Sequence, residues 1–255
     1  MGSRRNLRLL SAIAVLFGML AAVALPSVAQ AHRQPPIAYH ATAVTTAPTV
    51  DGVLGAGEWD DAPSSFVLFG ELSGSVRFKN DAQYLYVALT VADSGVGAKG
   101  IGMYFDDDHD GLKDPGEDAK LAFVGPGDTG QDFYWSSTGD IGGAGHYSDG
   151  SNAPGTTPPG NGTNEVIAGG TEVGGQVTFE LRHPLCSADD VHDVCLLPYD
   201  TFGVHFQYQT GGPFYGFPGG SSTDPSDWGH LMLAAPALAG QIVFETTRDL
   251  SLIHI

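Results

Sequence analysis

The sequence predicts an all-β protein built as one antiparallel β-sandwich, on three observations. Short runs rich in Val, Phe, Tyr and Leu alternate with a period of two. Clusters of Gly, Asp, Asn and Pro separate these runs. No stretch carries the spacing of a long amphipathic helix. Roughly ten such strands in about 200 residues can bury a core without help from a metal.

The elements follow in chain order. Arg4, Arg5 and Arg8 precede an apolar run from Leu9 to Leu25, and Ala29-Gln30-Ala31 supplies small residues for cleavage. Residues 1–31 therefore read as a signal peptide, with Ser3-Arg4-Arg5 hinting at the twin-arginine route. The mature chain is expected to be secreted, starting at His32, with no membrane insertion after cleavage. Residues 32–46 read as a flexible lead-in, and 47–240 as the sandwich domain. In that domain, Val76 to Lys79 alternates and Asn80-Asp81 turns. From Tyr84 to Val91, Leu85, Val87, Leu89 and Val91 share one face, leaving Tyr84, Tyr86, Ala88 and Thr90 on the other. Lys120 to Val124, Phe133 to Trp135 and Gln176 to Leu181 are further strands. Phe202, Val204, Phe206 and Tyr208 share a face, which places His205 and Gln207 outside. Leu231 to Leu233 and Ile242 to Phe244 complete the series. Residues 139–175 are rich in Gly, Pro, Thr, Ser and Asn. They read as a long loop or insertion, a spacer in preference to a lid. Within it, Asn161-Gly162-Thr163 fits a glycosylation sequon. Asp249 to Ile255 ends on apolar residues, so 241–255 reads as a truncated or non-native tail beyond which a linked catalytic domain could follow.

Charge narrows the partners. All 29 Asp and Glu lie beyond the signal, as do 8 of the 11 Lys and Arg, a net −21 for the mature chain. Nucleic acid and anionic membranes are excluded as partners on this balance. Calcium and neutral glycans are compatible with it. Cys186 and Cys195, in an oxidising compartment, are expected to pair as a disulfide, worth about 2–3 kcal/mol on the chain-entropy model. Their spacing matches neither a C-x-x-C redox pair nor a zinc pair.

Asp106 to Glu117 reads DDDHDGLKDPGE. Asp106, Asp108, Asp110, Asp114 and Glu117 occupy positions 1, 3, 5, 9 and 12 of a calcium loop, with Gly111 at the sharp turn. The carbonyl of Leu112 at position 7 adds a donor. The alternative is a solvated acidic turn. Gly100 to Phe105 before the loop reads as a strand, and Pro115-Gly116 opposes a helix inside it. The expectation is therefore a structural Ca2+ loop between strands, not an EF-hand.

Taken in order, these motifs carry a family resemblance. Pro48-Thr-Val-Asp-Gly-Val-Leu54 with Gly57-Glu-Trp-Asp60 resembles the opening of family-nine carbohydrate-binding modules and their DOMON-like relatives. Asn80-Asp81-Ala-Gln-Tyr-Leu-Tyr-Val-Ala88, Asp93, Phe179-Glu-Leu-Arg-His-Pro-Leu185, Asp200 to Phe206 and Asp227-Trp-Gly-His-Leu231 continue it. The resemblance spans roughly 45–235. It implies a jelly-roll or immunoglobulin-like sandwich that binds polysaccharide ends between aromatic rings, holds structural calcium and serves polysaccharide degradation. The chain departs from the family in its Gly-rich insertion and in having no attached catalytic domain.

Within that resemblance, Trp59 and Trp228 read as packing residues. Trp135, with Tyr134, is the main stacking candidate. Phe214, Tyr215 and Phe217 sit in a Gly-Pro loop and read as a platform. Gln207 and Gln209 could hold sugar hydroxyls. No nucleophile elbow, H-E-x-x-H or phosphate loop occurs, so the chain is read as non-catalytic. His183, His192 and His205 fit no common zinc spacing and read as surface residues. Two further readings stand beside the glycan binder. One is a structural or surface-interaction sandwich. The other is a haem electron-transfer domain using Met103, Met232, His205 or His230.

Overall fold

A computed structural model describes residues 37–112, 117–135, 146–148, 163–187, 193–219 and 224–235. The signal segment, Asp114, the core of the Gly-rich stretch, His192, Ile242 to Phe244 and the C-terminal tail lie outside the described residues. Fourteen strands are described. In order they are β1 (Ala38–His40), β2 (Thr42–Ala43), β3 (Ser65–Phe69), β4 (Leu72–Asn80), β5 (Tyr84–Ala92), β6 (Lys99–Asp106) and β7 (Asp118–Phe123). Then follow β8 (Gln131–Trp135), β9 (His146–Ser148), β10 (Ile167–Val173), β11 (Gln176–Pro184), β12 (Thr201–Thr210), β13 (Phe214–Phe217) and β14 (Gly229–Met232). The described helical structure is a 3-10 turn at Pro225–Asp227.

The strands form two sheets. The first runs β1-β14-β12-β6-β7-β8-β9 with β13 beside β12, and the second runs β10-β11-β5-β4-β2 with β3 beside β4. Their facing sides enclose the main core, including Val76, Phe78, Leu85, Leu89, Met103, Phe105, Phe179, Val204 and Phe206. The period-two runs thus sit where the sequence placed them, with β5, β11 and β12 each sending alternate residues inward.

Three expectations are corrected. Residues 32–46 are not wholly a flexible lead-in: β1 pairs in parallel with β14, and β2 with β4. The segment steps from one sheet to the other and is anchored by Tyr39, 1% exposed against Phe78 and Phe206. Its strands are too short to show a period, because edge pairing of the backbone holds them. The stretch 139–175 is not one loop, since β9 and β10 lie within it and β10 pairs with β11 along its whole length. Gly169 and Gly170 within β10 mark close backbone approach. A Cβ on Gly170 would lie 2.3 Å from the Phe123 carbonyl, and one on Gly169 2.5 Å from the Asp51 backbone. Finally, His205 does not face solvent; it is buried, as are Tyr86 and Ala88 on the outer face of β5, because each sheet carries a cover on its outer side.

Over the second sheet, Val44, Trp59 and Ala62 bury Tyr86 and Ala88. The clasp of this cover is Glu180, fully buried on β11. Its Oε2 accepts from the backbone N–H groups of Asp51 (3.2 Å), Gly52 (3.0 Å) and Val53 (3.2 Å), and its Oε1 from Trp59 Nε1 (2.7 Å). Burial holds the Glu180 pKa above the usual carboxylate range, against the pull of these donors. Over the first sheet, Trp228 stacks on His205 at 22° and 5.5 Å and packs with Tyr104 and Ala119.

Inside the sandwich a polar cluster ties the disulfide loop to the core. Lys120 donates to Asp132 and, at 2.7 Å, to Asp193, and all three are buried. His183 Nε2 lies 3.4 Å from Asp132 and 3.5 Å from Asp193. Ser187 donates to Asp193 at 2.7 Å, beside the Cys186–Cys195 disulfide.

Candidate functional site

The outer face of the first sheet gathers four of the six residues expected to meet a ligand. Register sets this, because alternate residues of paired strands share a face. Gln207 pairs with Gly102 and Gly216, and Gln209 with Gly100 and Phe214. On the far side of β6, Gly100 pairs with Phe123 and Gly102 with Leu121. Leu121 pairs with Gln131, and Phe133, one step along the same face, pairs with Ser148. Trp135 holds the register position two residues beyond Phe133, opposite His146. The Trp135 side chain lies outside what the structure describes. Phe214 is 57% exposed. Gln207 accepts from the Tyr104 hydroxyl at 2.8 Å, which fixes the amide.

Glycine flattens this face. A Cβ on Gly100 would meet the Phe123 ring at 2.8 Å, and one on Gly102 the Tyr104 ring at 3.1 Å. Both rings lie over bare backbone, but Tyr104 is itself buried, so the half-buried Phe123 ring is the one that lines the low surface between Phe214 and β8. Sequence reasoning missed Phe123. The signal that reveals it is the alternation Gly100-x-Gly102 on one strand beside an aromatic position on the neighbouring strand.

The same parity removes two expected ligand residues. Tyr134 is 6% exposed and points to the inner side, opposite to Phe133. Tyr215 pairs with Tyr208 and Phe217 with Phe206, so both turn inward and pack against the core, with the Tyr215 ring against Gly70. The platform of three aromatics is thus a strand, with Phe214 alone of the three facing out. Trp59 and Trp228 pack as expected, at 2% and 0% exposed.

The acidic loop joins β6 directly to β7, as expected of a loop between strands. Asp106, Asp108 and Glu117 each bring a carboxylate oxygen within 4.8 Å of the others. Gly111 turns at φ +76° and its N–H donates to Asp106 Oδ2 at 3.2 Å. Asp106 is fully buried in a space left by Gly203, and its Oδ1 has no hydrogen-bond partner. Burial pushes its pKa up to about 7; the Gly111 N–H opposes this, and the Asp108 and Asp110 charges add to it. Asp110 instead accepts from the Leu112 N–H at 2.7 Å. This donor set of hard oxygens, with an orphaned buried carboxylate oxygen, fits a divalent cation such as Ca2+.

No family model matches the chain, and no curated protein matches it. Solved structures do. A family-nine carbohydrate-binding module from Caldicellulosiruptor kristjanssonii, in complex with glucose, aligns with a TM-score of 0.50 at 11% identity, over 81% of this chain and 99% of that one. A second family-nine structure from that organism, in complex with cellotriose, gives 0.50 at 12% identity, over 80% and 97%. The chain has the fold of a family-nine carbohydrate-binding module.

On the family-nine fold the histidines take places that their spacing did not reveal. His183 and His205 are both fully buried, so they are not surface residues. His183 meets Asp132 and Asp193 closely enough for a metal, but the Lys120 ammonium already supplies a cation there. His205 Nδ1–H donates to the Pro218 carbonyl at 2.8 Å, and burial lowers its pKa to about 4. Met103 lies in the core on the opposite side of the first sheet from His205, so the two cannot face one haem iron.

Proposed function

We propose that this chain is a secreted, non-catalytic carbohydrate-binding module, stabilised by calcium and serving polysaccharide degradation. The observation that carries the reading is the flat outer face of the first sheet, where Phe214, Gln207 and Gln209 stand beside the half-buried Phe123 ring laid over Gly100. Sugar rings stack their apolar C–H faces on aromatic rings, while amides fix the hydroxyls. Such a face suits a neutral glycan, in keeping with the net charge of −18. The acidic loop would hold Ca2+ through Asp106, Asp108 and Glu117, with Asp110, Leu112 and Asp114 contributing as the loop pattern implies. Its role there is to stiffen the β6–β7 connection beside the face.

The test is retention on insoluble polysaccharides and on a glycan array, with calcium and with chelator. Selective retention is expected, weakened about tenfold by Phe214→Ala and by Trp135→Ala, as loss of roughly 1–2 kcal/mol of stacking implies. Tyr134→Phe should bind as the parent does. A folded protein that no glycan retains would overturn the reading in favour of a structural or surface-interaction module.

A further inference from the structure

The second sheet has an outer face of its own. Where the Trp59 cover ends, a groove of about 480 Å3 opens over β4, β5, β11 and β10. Its floor is a row of hydroxyls in register: Ser75 beside Thr90, Thr90 beside Thr178, Thr178 beside Thr171. With strands about 4.8 Å apart, the row runs roughly 14 Å. Ser75 and Thr90 bond each other at 3.0 Å, and Thr171 donates to the Gly52 carbonyl at 2.6 Å. The side chains of Thr178 and the exposed Gln176 make no hydrogen bond with any described group. Val53 and Val173, 54% and 76% exposed, form an apolar rim.

Arg77 stands in this groove and is the unusual member. Five lysines and arginines are described. Lys79 pairs with Asp61, Lys99 with Glu172, and Lys120 with Asp132 and Asp193. Arg182 lies over the Tyr84 ring at 4.6 Å. The Arg77 side chain alone of the five has no ion pair, hydrogen bond or ring contact with a described residue. In a chain with 29 acids and 11 bases, a guanidinium left uncommitted among hydroxyls is positioned for an anion from outside.

We propose that this groove is a second saccharide site, selective for a sugar that carries one oxyanion substituent, a carboxylate or a sulfate. Arg77 takes the oxyanion along its two-pronged N–H edge, Thr178 and Gln176 take ring hydroxyls, and Val53 and Val173 meet the C–H face. A single charge is required because the net charge of the protein repels a polyanion. The proposal borrows only its ligand class from the carbohydrate reading. Its residues lie on the other sheet, so the two can fail separately.

The experiment titrates the purified protein with three forms of one oligosaccharide: bearing one uronate, bearing one sulfate, and with the carboxyl reduced to the alcohol. At least tenfold tighter binding of a charged form is expected, falling with added salt. Arg77→Gln should erase that preference while leaving thermal unfolding and neutral-sugar binding unchanged. Phe214→Ala should keep the preference. Comparing uronate with sulfate shows which oxyanion the groove takes. Equal binding of charged and neutral forms, a preference that survives Arg77→Gln, or no binding at all would each overturn the second site. Arg77-dependent binding of the charged form without neutral binding would instead sink the first-sheet reading alone.

Discussion

Replacing Glu180 with Gln tests the physical basis of the fold's best-marked motifs. The carboxylate accepts four N–H groups, three from Asp51 to Val53 and one from the Trp59 indole. All four partners are donors, so only an ionised carboxylate satisfies them together. Gln has the same shape but turns one oxygen into a donor. If its NH2 takes the Oε1 place, it faces the Trp59 N–H; if it takes the Oε2 place, it faces three backbone N–H groups. The first arrangement is the milder, and it leaves one buried indole donor unpaired while the remaining bonds lose their charge assistance. One buried unsatisfied donor costs about 1–3 kcal/mol, so about 2 kcal/mol is expected. For a domain of this size that lowers Tm by roughly 4–8 °C. Urea unfolding at neutral pH, with calcium present, gives the free energy directly. A variant within about 0.5 kcal/mol of the parent would refute the clasp. Glu180→Ala should cost more, since the loop and indole both lose their acceptor.

Four further outcomes follow. Asp108→Ala with Asp110→Ala should abolish the rise in Tm on adding calcium, because only a folded-state site stabilises by mass action; an unchanged rise would remove the ion from this loop. Burial and Lys120 lower the His183 pKa, but Asp132 and Asp193 raise it further, so the net shift is upward. The stability it contributes is therefore full below about pH 6.5 and is lost as pH rises through the folded-state value, and His183→Gln should flatten that slope in urea titrations. Gly170→Ala should cost at least about 2 kcal/mol, because its methyl would press on the Phe123 carbonyl, which a calorimetric scan would detect. Cys186→Ser with Cys195→Ser should cost about 2–3 kcal/mol in the same assay, since the disulfide closes a short loop.

The inner layer was legible in the sequence because period-two alternation is a local property. Leu85 to Val91 and Phe202 to Tyr208 show it without reference to any partner. The outer covers were not legible, because they are made at long range. Tyr86 and Ala88 look solvent-facing until Trp59 folds across them, and His205 does until Trp228 stacks on it. Glycine misled for a related reason. In β10, Gly169 and Gly170 answer a backbone from another segment, which no local signal distinguishes from a loop. The acidic loop lay between these cases. Its spacing was readable, but the burial of Asp106 against Gly203 depends on β12. Of the residues expected to meet a ligand, Phe214 and Gln209 stand on the outer face, whereas Tyr134 and Tyr215 turn inward by parity, which only the register could assign.

Two tryptophans, read from the sequence as packing residues, are engaged one on each side of the sandwich. Trp59 hands its N–H to Glu180 and shields that carboxylate from water. Trp228 closes over a histidine whose pKa burial has lowered to about 4. Each large ring thus caps a polar group that would otherwise sit in a wet groove between sheet and loop. A ring used this way has no free face, at 2% and 0% exposure. The proposed glycan reading therefore draws on rings that cap no polar group. Among the described side chains of the first sheet, Phe214 stands free and Phe123 lies over Gly100. The width of the proposed glycan face follows from that pair: it spans β13 to β7 across β12 and β6, three strand spacings or roughly 14 Å, room for more than one sugar ring.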